Sequence, residues 1–327
     1  MLLYIWHRGE QKAKLLCRCD RSAQGSNRKG CTERQTQQLN DMLKKILGLA
    51  PKLESDGSYS PSKLALKLGT VSKSDFEDIT YPQYTGSRSK ILVIFTEQKN
   101  MKMQNGHLFS TGNHPVEALV PMLHLKNAGF DFEIATPTGK PVVFEMWAFP
   151  QKDEAVKTIY KEFKSSFENP KKLADFNEAS AEEKAAYSAL FVPGGHGSML
   201  GIPEDQNVCK AVQWAHENDV FTISLCHGPG AFLSTVRDNQ KFMYDGYRMA
   251  VFPDSVDAMT PKLGYLPGKM PWGLSEKLKG LGVQVVNSKA DKSVCLDRQL
   301  ITGASPLAAN ELGKLAATTM LEALSAQ

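Results

Sequence analysis

From residue 90 onward, short unbroken apolar runs alternate with stretches of helical pattern. The runs are KILVIF (90–95), FEIATP (132–137), ALFVPGGHG (189–197), VFTISL (220–225), YRMAVF (247–252), VQVV (283–286) and QLITG (299–303). Their length and β-branched content predict strands that are buried rather than half-exposed. HPVEALVPMLHLKNAG (114–129) has proline at a first helical position and a glycine stop, which predicts a helix. SPLAANELGKLAATTMLEAL closes the chain. Alternating strands and helices with continuous apolar strands predict an α/β fold: a doubly wound, mostly parallel sheet covered on both faces. In such sheets ligands gather at the carboxyl ends of the strands.

Outside this pattern the chain reads differently. Residues 1–41 are rich in Arg, Gln and Ser without periodicity, which predicts a disordered leader or a segment outside the mature protein. Met42 offers an alternative start. Residues 42–88 read as a polar N-terminal arm and 89–327 as the α/β core. Segment 139–186, rich in Lys, Glu and Phe, predicts a helical insertion forming a small second domain.

Composition changes little. Hydrophobic residues make up 42% and charged residues 23% of the 327, ordinary for a globular protein, and no apolar stretch suggests a membrane span. The opening MLLYIWHRGEQKAK has too short an apolar core for a secretory signal and no small-residue cleavage site, so the expected compartment is the cytoplasm. The net charge of +4 sits wholly in the leader, which holds eight of the 39 Lys/Arg and four of the 35 Asp/Glu, so that 31 of each remain. No basic patch for phosphate contacts is visible in the body. The six cysteines (17, 19, 31, 209, 226 and 295) have no zinc-finger spacing and argue against a disulfide scaffold.

The candidate chemistry starts with Cys226, in FTISLCHGPGAFL (221–233). It stands where a buried strand ends and a helix is about to begin. At such a turn the side chain is expected to be exposed and to face a helix N-terminus, which favours the reactive thiolate. A cysteine meant only for packing belongs inside the run. His227 follows; adjacency alone does not make a Cys–His couple, and the alternative is a histidine that orders the turn. VPGGHG (192–197) ends another strand, and Gly194 and Gly195 are candidate oxyanion donors. His196 within it is read as structural. Glu117 stands three residues after a potential cap at His114, where a glutamate often back-caps. Its helix follows the first strand, however, so its start lies on the rim that carries Cys226, and a carboxylate there can move protons. Asp254, in FPDSVD, is either ordinary turn chemistry or the carboxylate that orients His227.

GNHPVEALVP, FVPGGHG, SLCHGPGAFL, AVFPD, GYLPG and LITGASPLAANELGKLAA together resemble the HchA type of the ThiJ/PfpI superfamily, from about Tyr81 to the C-terminus. The resemblance implies a flavodoxin-like core with a small second domain, a homodimer, and a cofactor-independent enzyme. It also implies glutathione-independent conversion of methylglyoxal to lactate (glyoxalase III), deglycation of glyoxal-modified proteins, and stress-related holding-chaperone activity toward unfolded clients. Cys226 would be the nucleophile, His227 and Asp254 its triad partners, Glu117 the acid/base, and Gly194 and Gly195 the oxyanion donors. Nucleic acid enters only as a glycated substrate. Proteins of this type can carry a metal on two histidines and a carboxylate; the corresponding positions here are Lys126, Asp131 and Phe163, so no metal is expected. His124 reads as a satisfied surface group. The rival readings are a chaperone without enzymatic role and a cysteine peptidase or amidase.

Overall fold

The computed structural model describes residues 48–238 and 240–325; the predicted leader and the alternative start at Met42 lie outside them. Seven strands form the main sheet: β1 (Lys90–Ile94), β2 (Asp131–Thr136), β3 (Lys171–Lys172), β4 (Tyr187–Val192), β5 (Phe221–Leu225), β6 (Val294–Asp297) and β7 (Leu300–Gly303). Their spatial order is β6-β7-β5-β4-β1-β2-β3, all neighbours parallel except the β6–β7 hairpin. The unbroken apolar runs follow from two-sided burial. Ile91 and Val93 of β1 and Ala189 and Phe191 of β4 enter one core, while Leu92, Ile94, Leu190 and Val192 enter the other.

On the first face pack α1 (Pro115–Asn127), α2 (Glu154–Glu168) and the C-terminal helix α4 (Ala309–Ser325); α3 (Gln206–Glu217) covers the second. Helix α1 is buried nearly all round, as its unbroken apolar sequence requires. Among the described residues, no helix is long and apolar enough to cross a membrane.

Two strand expectations change, those for YRMAVF and VQVV. YRMAVF contributes only Arg248–Met249, which pairs with Gln284–Val285 in a separate two-stranded sheet; it is not a strand of the main sheet. In segment 139–186, Val156, Ile159 and Phe167 of α2 lie in the first core, and β3 extends the main sheet beside β2. A second, four-stranded sheet is formed by Lys52–Leu53, Tyr59–Ser60, Asn100–Lys102 and Leu108–Ser110.

Candidate active site

Strand β5 ends at Leu225, and Cys226 turns sharply out of it with φ of 58°, a left-handed conformation that is strained for a residue with a Cβ. Two hydrogen bonds hold it there: Cys226 N–H donates to Gly303 O (2.8 Å) and Phe252 N–H donates to Cys226 O (3.0 Å). The expected helix follows as a 3-10 helix, Gly228–Thr235. The thiol is not exposed as the turn position suggested; Cys226 is only 3% accessible. Burial, and then the neighbouring Glu117 carboxyl, push its pKa well above the ordinary thiol value. The resting nucleophile is therefore a thiol that needs a base.

An imidazole is adjacent. His227 Nδ1 lies 3.3 Å from Cys226 Sγ, and its Nε2 lies 2.9 Å from Oδ2 of Asp257. A carboxylate can only accept, so Nε2 carries the proton and Nδ1 is free to take one from sulfur. Burial alone would raise the Asp257 pKa, but the His227 and His196 imidazoles outweigh it and hold the carboxyl well below its usual range.

The carboxylate expected at Asp254 is therefore supplied by Asp257, one helical turn on. Asp254 faces away from His227: its Oδ1 accepts from Ser275 N (3.0 Å) and its Oδ2 from Glu276 N (2.7 Å), at the start of helix Leu274–Gly280. Both acids of FPDSVD are visible in the sequence, and only the direction of the short helix Asp254–Met259 separates their roles. His196 is also more engaged than expected. Its Nε2 donates to Asp257 Oδ1 (3.0 Å), and its ring lies tilted against that of His227 with centroids 4.3 Å apart. His196, His227 and Asp257 place ligand-type atoms within 4.8 Å of one another. Each ring already spends its near N–H on the shared carboxylate, so the group is arranged as a hydrogen-bonded triad.

Glu117 does not back-cap its helix: His114 makes no side-chain cap bond, and both Glu117 oxygens are enclosed without a hydrogen-bond partner. Burial drives its pKa well above the ordinary carboxyl value. The Cys226 thiol and the Gly195 N–H lie beside it and draw the pKa part-way back, though neither reaches full hydrogen-bond geometry. His114 Nδ1 stands 4.0 Å from Glu117 Oε1, and burial, with His196 nearby, pushes that imidazole down to about 3, so it is neutral.

The glycines make room for this contact. A Cβ on Gly194 would lie 2.0 Å from Glu117 Oε2 and 2.8 Å from Cys226 Cβ. Gly195 has φ of 103°, and a Cβ there would lie 2.5 Å from His114 N. The Gly195 N–H lowers the pKa of both Cys226 and Glu117, so it faces the reacting groups. The Gly194 carbonyl accepts from His114 N (2.9 Å) and ties the loop to α1.

Of the residues expected to stand in place of metal ligands, Lys126 is ion-paired with Glu162 and the Phe163 ring packs edge-on against Phe132, centroids 5.6 Å apart. His124 is fully buried rather than on the surface, held between Tyr81 Oη (2.8 Å) and Asn310 Oδ1 (2.9 Å).

The chain is 47% identical over 271 residues to the protein/nucleic acid deglycase HchA of Escherichia coli O157:H7, a match spanning 83% of this chain and 95% of that one. The chain belongs to the HchA family. The protein/nucleic acid deglycase 1 of Escherichia coli K12 matches this HchA-family chain at the same identity and coverage. No protein-family model matches it. Among solved structures, the Francisella tularensis rapid encystment protein has a TM-score of 0.60 at 18% identity, covering 71% of this chain and 99% of that one. Glyoxalase III from Candida albicans has a TM-score of 0.56 at 20% identity, covering 71% and 97%. These two share the fold.

Proposed function

We propose that this HchA-family protein is a cofactor-independent enzyme that converts methylglyoxal to lactate without glutathione and removes glyoxal adducts from proteins and nucleic acids through Cys226. One observation carries the reading: a buried thiol stands between the His227 imidazole, 3.3 Å from its sulfur, and the Glu117 carboxyl, whose pKa burial raises. That pairing suits addition to an aldehyde followed by movement of a carbon-bound proton. Membership of a family whose curated relatives are named deglycases supports it.

The protons balance as follows. His227 Nδ1 takes the thiol proton, sulfur bonds to the aldehyde carbon, and Glu117 gives its proton to the resulting oxyanion beside the Gly195 N–H. The Glu117 carboxylate then removes the hydrogen from that carbon and delivers it to the neighbouring one. The proton held by His227 passes to the second oxygen, and the first oxygen returns its proton to Glu117, leaving a lactoyl thioester. Water cleaves the thioester to lactate and restores the thiol. No electrons enter or leave, because the aldehyde is oxidised as the ketone is reduced. Deglycation uses the same thiol on a hemithioacetal or hemiaminal adduct.

Burial of Cys226 favours small aldehydes and adducts on extended side chains over the folded peptide bonds a peptidase requires. A homodimer in the cytoplasm, with holding-chaperone activity on other surfaces, completes the proposal. The test is lactate formation from methylglyoxal without glutathione by the wild type and Cys226→Ala; equal turnover by the two removes the covalent reading. Holdase activity that survives the substitution places the chaperone function elsewhere on the protein.

A further inference from the structure

Among the described residues, six enclosed side-chain polar atoms lack a hydrogen-bond partner, and three of them belong to two residues at the start of α1: His114 Nδ1 and both oxygens of Glu117. Unpartnered buried polar atoms are costly and call for an explanation. Glu117 has its role in the chemistry above. The sequence offers His114 only as a helix cap, yet its side chain makes no cap bond, so the buried ring is left without work.

The backbone of His114 is tied on both sides: its N–H donates to Gly194 O (2.9 Å) and its carbonyl accepts from Ala118 N (3.1 Å). The ring therefore stays beside Glu117, with Nδ1 4.0 Å from Oε1. The two carboxyl oxygens have different neighbours. A Cβ on Gly194 would lie 2.0 Å from Oε2 and 2.8 Å from Cys226 Cβ, so Oε2 is the oxygen on the thiol's side. Oε1 is the one paired with His114. Around the pair stand Cys226 after β5, Glu145 ahead of the turn Met146–Ala148, His196 after Gly195, and Tyr265. Burial keeps the His114 imidazole neutral, so it brings one N–H and no charge.

We propose that His114 is a positioning residue: its single N–H is on Nδ1 and hydrogen-bonds Glu117 Oε1 when Glu117 ionises, which leaves Oε2, on the thiol's side, as the oxygen that gives and takes the proton. The inference rests on the reading of Glu117 as the proton carrier and names the group that supports it when charged. At 4.0 Å the pair is open while Glu117 is an acid, and a shift of about 1 Å brings it to hydrogen-bond length. A bare carboxylate in so enclosed a place is costly and needs a donor. The Gly195 N–H and the thiol also lie beside Glu117, but the substrate engages both during the reaction, so His114 is the donor left for the carboxylate. His114 keeps its proton throughout and no covalent bond changes at it.

The test compares wild type, His114→Asn, whose side-chain amide can take the place of Nδ1, and His114→Leu, which has no donor, each checked for folding by thermal melting. The first readout needs no turnover: the pH at which the infrared carbonyl band of protonated Glu117, identified by subtracting the spectrum of Glu117→Gln, disappears. A hydrogen bond to a charged group is worth about tenfold to 100-fold in such an equilibrium. Losing it makes ionisation harder, so the midpoint rises by about one pH unit or more in Leu and stays near wild type in Asn. The second readout is methylglyoxal turnover: in Leu kcat falls about tenfold, KM holds and the high-pH limb moves up with the infrared midpoint, while Asn recovers most of kcat. The third uses the wild type alone and decides the matter even where Leu does not fold: nitrogen NMR of His114 shows the N–H on Nδ1. An N–H on Nε2, a midpoint that Leu leaves in place, or a shift that Asn fails to reverse overturns the proposal while leaving the Cys226 chemistry standing. A wild type that does not turn over methylglyoxal, yet shows the Leu shift and the Asn recovery, supports the His114–Glu117 bond and removes the functional reading.

Discussion

Asp254 and Asp257 stand three positions apart and both are acidic, yet the structure gives them unrelated work, so exchanging each for a neutral residue separates the two. In Asp257→Asn the side chain can still accept from one imidazole, but its amide must donate toward the other. If it donates to His227 Nε2, that ring shifts its proton to Nδ1, the nitrogen 3.3 Å from Cys226 Sγ. A protonated Nδ1 cannot take the thiol proton, and the thiol, raised well above its ordinary pKa, does not ionise unaided. Loss of the correct tautomer in an Asp–His–nucleophile array costs about 10⁴-fold in kcat, and a fall of at least 10³-fold is expected here. Asp254→Ala removes the two acceptors at 3.0 and 2.7 Å from the start of helix Leu274–Gly280. That is a capping loss, about 1 kcal/mol and at most about 2, or a fall in melting temperature of about 2–4 °C in a unit of this size, with turnover near wild type. Lactate formation and thermal melting of the two variants side by side decide it. An inactive Asp254→Ala beside an active Asp257→Asn would refute the assignment.

Glu117→Gln keeps the shape but cannot carry a proton, so turnover falls at least about 100-fold, while the melting temperature holds or rises because no buried carboxyl remains to be desolvated; a destabilised but active variant makes Glu117 a structural cap. Folded Glu145 binds its proton up to about pH 7 whereas the unfolded chain releases it near 4.5, so the folded state holds the extra proton and stability declines as pH rises through that window. At about 1.4 kcal/mol per unit, Glu145→Gln gains up to about 3 kcal/mol over wild type between pH 4.5 and 7, and denaturant melts showing a constant difference across that range contradict the burial argument. Gly313→Ala gains up to about 1 kcal/mol in helix propensity, but its Cβ would lie 2.5 Å from His124 Cδ2, and that ring is pinned at both nitrogens. Overpacking costs about 1–3 kcal/mol, so the melting temperature falls; a rise shows that the ring can yield.

The apolar runs from 90 to 303 were sufficient to announce the doubly wound sheet, because a strand buried on both faces leaves no polar alternation to confuse it with anything else. The same local logic located Cys226, since a glycine-rich turn after such a run must lie at the carboxyl edge of the sheet, and it placed Glu117 on the same edge. What the sequence could not carry was direction and enclosure. Asp254 and Asp257 differ by one turn of a short helix whose heading is set by Pro253, by the cap it provides to residues 274–280, and by the imidazoles waiting on its inner side. The burial that keeps Cys226 a thiol, Glu117 protonated and Glu145 near neutrality is summed over the 110–117 segment, the 144–148 turn, the glycine loop and Tyr265, which are far apart in the chain. Residue order fixes which groups exist and where strands end. Desolvation is a property of everything packed around a group, and only the tertiary structure assembles it.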